Sequence, residues 1–121
     1  MRREFVLDLA FKITKGYRVK SLFKIEIARE IKRVFYEEFN EFMNFHRVSS
    51  LVNLDILFGA LLRLGLLDAK IKRAAYYVVR EVLKNTDKDI VREFARIMSN
   101  LIKNDALDDE LKTKILQATF G

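Results

Sequence analysis

The chain of 121 residues carries 23 Lys and Arg against 17 Asp and Glu, a formal net charge of +6, and half of its residues are hydrophobic. That balance is too apolar for a disordered chain and too charged for a bilayer protein, and the length suits one domain that buries its own core. No cysteine is present, which removes disulfides, iron–sulfur clusters and thiolate zinc sites; with no Pro and only four Gly there is no linker composition and little hairpin chemistry, so an all-α, cytoplasmic protein is expected.

Helix one is predicted over residues 2–14, where Phe5, Leu9 and Ile13 recur at fourfold spacing with Val6 beside them and Gly16 follows as a stop. The two leading Arg imitate a signal peptide, but Glu4, Asp8 and Lys12 interrupt any hydrophobic segment and no small-residue cleavage site follows, so the segment reads as mature helix. Ser21 is placed to cap a long second helix reaching about Phe45, on which Ile27, Ile31, Val34, Phe35, Phe39, Phe42 and Met43 draw one stripe. Glu26 with Arg29 and Glu30 with Arg33 pair at the offsets of an exposed face. Phe35, Phe39 and Phe42 are expected in the core, the alternative being a seam that faces a partner.

Ser49 or Ser50 can cap a third helix, LVNLDILFGALLRL at 51–64, which is apolar on nearly every face and therefore central. The longest apolar region, Leu54 to Leu67, is interrupted by Asp55 and Arg63 and falls short of the roughly 20 residues of a spanning helix, so no membrane partner is expected. Gly65 ends that helix, and Asp68 caps a fourth bearing Ile71, Ala75, Val78, Val79 and Val82, with Lys70, Lys72, Arg73 and Arg80 between them. Thr86 with Asp89 forms a variant capping box before a fifth helix carrying Ile90, Phe94, Ile97, Met98, Leu101 and Ile102. Asp108 opens a sixth with Leu111, Ile115 and Leu116, and Asp109 and Glu110 lie in its first turn. The sum is a six-helix bundle packed around the apolar helix 51–64, forming a single domain over residues 1–121.

Chemistry is scarce along this chain. One His and no Cys rule out a zinc or iron site, and Asp105, Asp108, Asp109 and Glu110 lack the alternating ligands and central Gly of a calcium loop, so they read as helix caps. No glycine-rich loop is available to cradle a phosphate. His46 stands near Ser49 and Ser50 in sequence but has no acid in place to orient it. Neither enzymatic activity nor a metal or other cofactor is expected.

Charge is the informative feature. Residues 1–33 hold ten Lys or Arg against four acids and residues 61–84 hold six against two, while residues 34–60 and 85–121 are net acidic. Two such basic segments in one small bundle can form a patch that attracts phosphates by counterion release. On helix four, Lys72, Arg73, Tyr76, Tyr77 and Arg80 interleave cations with rings able to stack on unpaired bases. The stretch LLRLGLLDAKIKRAA also admits a helix-turn-helix reading, with Gly65 at the turn, although Leu61 stands where a small residue is usual.

Two segments, KIEIAREIKRVFYEEFNEF at 24–42 and KIKRAAYYVVREV at 70–82, resemble parts of the small all-helical subunit of type III CRISPR effector complexes. The resemblance implies a non-catalytic role in which copies line a filament and hold guide and target RNA through basic surface residues, here Arg29, Lys32, Arg33, Lys72, Arg73 and Arg80. The chain departs from that family at its last residues, where ATFG replaces an aromatic-rich ending. The residues expected to bind nucleic acid, RNA in preference to DNA, are thus Arg29, Lys32, Arg33, Lys70, Lys72, Arg73, Tyr76 and Arg80, with other protein subunits or further copies of the chain as partners. The alternative reading is an adaptor or homodimer whose long second helix supplies the interface and whose charge serves only solubility.

Overall fold

A computed structural model describes all residues from 1 to 121, and every regular element in it is helical. The six helices are α1 (Arg3–Thr14), α2 (Lys24–Phe45), α3 (Val48–Leu64), α4 (Ala69–Leu83), α5 (Lys88–Ile97) and α6 (Asp109–Phe120), with short 3-10 turns at Ser21–Phe23 and Leu101–Lys103. This is the expected all-α bundle. None of its helices is long and apolar enough to cross a membrane.

Helix α3 is the centre, because its apolar residues point in every direction. Leu51, Leu54, Leu57, Phe58, Ala60 and Leu61 are all fully buried. Around them pack Val6, Ala10 and Ile13 of α1, Ile31, Val34, Phe35 and Phe42 of α2, and Met98 and Leu101 beyond α5, in one continuous core that also takes in Ile71, Val78 and Val79 of α4 and Leu111 and Ile115 of α6. The phenylalanine stripe of α2 is therefore core: Phe35 and Phe42 are sealed, and Phe39 packs against the cluster from its edge. The Glu38 carboxylate, also buried, is held by Arg3 of α1 and, at 3.3 Å, by the Asn53 amide of α3, so one acid ties three helices together.

Several boundaries differ from the sequence reading, each for a local reason. Ser21 makes no capping bond and leads instead into a 3-10 turn before α2. Helix α3 begins at Val48 rather than 51, because His46 adopts a left-handed conformation (φ 52°) that reverses the chain in one residue; Arg47 becomes the N-cap and Ser49 and Ser50 fall inside the first turn. Helix α5 is capped by Asp87, whose Oδ1 accepts from the N–H groups of Asp89 (3.0 Å) and Ile90 (3.3 Å), and not by Thr86. A charged acceptor at that position serves the open N–H groups better than a hydroxyl.

Helix α5 also stops at Ile97 instead of running through Ile102. The cause is Asp55 on α3, which accepts from the backbone N–H groups of Asn100 and Leu101, each at 2.8 Å, and from the Asn100 side chain at 3.1 Å. Those are N–H groups that would otherwise extend the α5 ladder, so the helix breaks and rewinds as the turn Leu101–Lys103. Helices α1 and α3 end as expected at Gly16 (φ 107°) and Gly65 (φ 70°), where Tyr17 N–H reaches back to the Lys12 carbonyl (2.9 Å) and Leu66 N–H to that of Leu61 (3.0 Å).

Candidate nucleic-acid interface

Helices α2 and α4 lie side by side and point the same way. Lys32 bridges to Asp68 at 2.9 Å, the Lys70 ammonium sits 4.9 Å from the Tyr36 ring centroid, and His46 Nε2 meets Glu81 Oε1 at 3.2 Å. The contacts advance together along both helices, so α4 does not cross its neighbours steeply. A recognition helix crosses the helix before it at about 90–120°, whereas α3 doubles back along α2, with Asn53 opposite Glu38, and α4 doubles back again. The helix-turn-helix reading of Leu61–Ala75 does not describe this arrangement, in which α4 packs on α2.

This packing brings part of the two basic segments together. Arg29 and Lys32 stand one turn apart on α2 and line a shallow depression with Ile25, Ala28 and Leu66, and Lys70 begins α4 alongside them. From there Lys70, Arg73, Tyr77 and Arg80 follow at steps of three and four residues, all exposed, and form one stripe down the outer face of α4. The apolar positions Ile71, Ala75, Val78, Val79 and Val82 occupy the opposite face and are buried, which is what fixes this stripe outward. Arg29, Arg73 and Arg80 make no ion pair and no side-chain hydrogen bond, so their charge is free.

The remaining residues singled out from the sequence lie elsewhere. Arg33 turns to the other side of α2, where it holds Glu30 at 3.1 Å, Glu37 at 3.0 Å and the Met1 carbonyl at 2.8 Å. Lys72 points to the opposite flank of α4 and bridges to Asp105 at 3.1 Å. Tyr76 is half-buried and donates its hydroxyl to Asp108 at 3.4 Å, against α6. The ring that reaches solvent is Tyr77, set edge-to-face on Tyr76 with centroids 5.6 Å apart. The repeat 70, 73, 77, 80 was readable in the sequence and singles out Tyr77 over Tyr76 once the buried face of α4 is known.

Compared with protein-family models, curated proteins and solved structures, the chain matches none.

The acids within this region are already engaged. Burial works against the charge of Asp68, but the Ile71 N–H, Lys32 and the Lys70 N–H outweigh it and hold the carboxyl below its usual range. Burial, with Asp68 nearby, raises the Tyr36 hydroxyl. Glu81 is shared between His46 and, at 3.8 Å, Lys84. That contact corrects one expectation, since His46 does have an acid beside it, brought from α4 by the fold and not from neighbouring sequence. No group of three or more His, Asp or Glu is placed to hold a metal ion.

Proposed function

We propose that the protein is a non-catalytic subunit that binds nucleic acid, single-stranded RNA in preference to DNA, in the cytoplasm and within a larger assembly. The observation that carries this reading is the stripe Lys70, Arg73, Tyr77, Arg80, in which two unpaired guanidiniums flank an exposed ring on a rigid helix. Such a surface fits a single strand. The cations track phosphates and Tyr77 offers a face for an unstacked base. Arg29 extends the row onto α2. The resemblance of 24–42 and 70–82 to the CRISPR small subunit points the same way.

Fluorescence anisotropy with labelled single-stranded RNA, single-stranded DNA and duplex DNA, between about 50 and about 200 mM salt, tests it. Salt-sensitive binding that favours single-stranded RNA and is lost in Arg73→Glu/Arg80→Glu is the expected result. Absence of binding at the lower salt refutes the reading and leaves the adaptor role, which the exposed apolar end of α2 favours on separate grounds.

A further inference from the structure

The first turns of α2 project beyond the start of α4. Lys32 is level with Asp68, the cap of α4, so everything on α2 before Lys32 lacks the neighbour that covers its later turns. The side-chain row Ile25, Arg29, Lys32, Tyr36 runs along one line of α2 at helical spacing, with Leu22 of the preceding 3-10 turn before it, and it is covered at Tyr36 by Lys70 but open at its beginning. There Leu22 is 84% and Ile25 69% exposed, with Phe23 and Tyr17 also reaching solvent. Ile25, Ala28 and Leu66 continue the open seam as an apolar depression of about 210 Å³.

Cations flank this end in the chain. From residue 9 to residue 25 the chain has five Lys or Arg and no acid. Lys12 is neutralised by Asp8 at 3.0 Å, but Arg18, Lys20 and Lys24 have no acidic partner. Leu22 and Ile25, the most exposed apolar side chains of this end, are aliphatic and offer no face to a base, so the apolar row itself calls for an apolar partner. The seam is also concave, between α2 and Leu66, and so receives a protruding side chain, where a flat lipid surface needs only a convex apolar tip.

We propose that the projecting end of α2 docks an amphipathic helix of a second, different protein, one whose apolar row lies against Leu22, Ile25 and Leu66 and whose flanking acids meet Arg18, Lys20 and Lys24. This helix continues the line of α4 and closes the seam that α4 leaves open. The face is separate from the nucleic-acid stripe except at Arg29, which borders both.

A displayed library of randomised amphipathic helical peptides, selected on the full chain and on the uncharged variant Leu22→Asn/Ile25→Asn, tests the proposal. Both positions are exposed, and an unchanged circular-dichroism melt checks that the variant folds. The expected outcome is enrichment of peptides that pair an apolar row with Asp or Glu, the best of which bind the variant at least about tenfold more weakly, while RNA affinity of the variant is unaltered. Enrichment without acidic residues, or equal enrichment on both proteins, overturns it. Co-sedimentation with phosphatidylserine vesicles that the variant loses assigns the end to a lipid surface and overturns it too, as does a wild-type dimer in sedimentation velocity that the variant dissociates.

Discussion

The Asp55 carboxylate holds Asn100 twice, at 2.8 Å through its backbone N–H and at 3.1 Å through its side-chain amide, and so joins the middle of α3 to the turn that follows α5. It also accepts from Leu101 N–H at 2.8 Å and Ser99 Oγ at 3.4 Å. A lone acid inside an apolar helix is thus the organiser of the second half of the bundle. Replacing it by Ala strands two N–H donors in a largely buried turn, a loss of about 2–6 kcal/mol when each unsatisfied donor costs about 1–3 kcal/mol. Urea unfolding of Asp55→Ala measures it, and a loss below about 0.5 kcal/mol is at odds with this role. Asp55→Asn keeps one acceptor for both backbone donors and is expected to fall between.

Gly59 lies one turn further along α3, beneath the same Asn100. A Cβ added there stands 2.6 Å from Asn100 Nδ2, and the amide cannot move aside while Asp55 holds it. Gly59→Ala therefore costs about 1–3 kcal/mol, as overpacking does. In an Asn100→Ala background the obstruction is gone and the usual preference of a helix for Ala over Gly, about 0.5–1 kcal/mol, reappears. The sign of the Gly59→Ala effect is expected to reverse between the two backgrounds, a coupling that a double-mutant cycle reads directly.

The two acids that organise α3–α4 and the α5 turn respond to pH in opposite senses. Burial pushes the Asp55 carboxyl up, and its hydrogen bonds to Leu101, Asn100 and Ser99 only partly offset this. The folded chain then keeps that proton to higher pH than the unfolded chain, so stability from Asp55 is greatest below the ordinary value of about 3.9 and declines as pH rises to the raised value. Asp68, held below its usual range, contributes stability above about 3.9 that is lost as pH falls through its lowered value. Relative to wild type, Asp55→Asn is expected to remove a decline in stability with rising pH, and Asp68→Asn to remove a gain. Urea midpoints taken from about pH 3 to about pH 7 decide it, and the same pH dependence in both variants contradicts the assignment.

How far the sequence could be read depended on whether a signal was periodic or long-range. The core positions of α2 and α4 follow from spacing alone, since Phe35, Phe42, Val78 and Val79 fall on stripes and are buried. The centrality of α3 follows from its being apolar all round. What spacing could not supply are contacts between residues far apart in the chain. The end of α5 is set by Asp55, 45 residues from Asn100, and His46 finds Glu81 35 residues away. The same limit applies to the site. Arg33 and Lys72 have the same sequence credentials as Arg73, and only the fold shows them tied to Glu30, Glu37 and Asp105.

That difference yields the sharpest test of the nucleic-acid reading. Arg73 and Arg80 are unpaired on one exposed row, so neutralising either one removes a phosphate contact and lowers the slope of log affinity against log salt by about 1. Arg33 already spends its donors on two carboxylates and a carbonyl, so Arg33→Ala is expected to leave both affinity and slope unchanged. Tyr77→Ala separates stacking from charge. It is expected to weaken single-stranded RNA by about 1–3 kcal/mol with the salt slope intact. Lys72→Ala, on the far flank with Asp105, is the second control. If Arg33→Ala or Lys72→Ala weakens RNA as much as Arg73→Ala does, binding is a diffuse response to a net charge of +6 and the stripe on α4 is not the site.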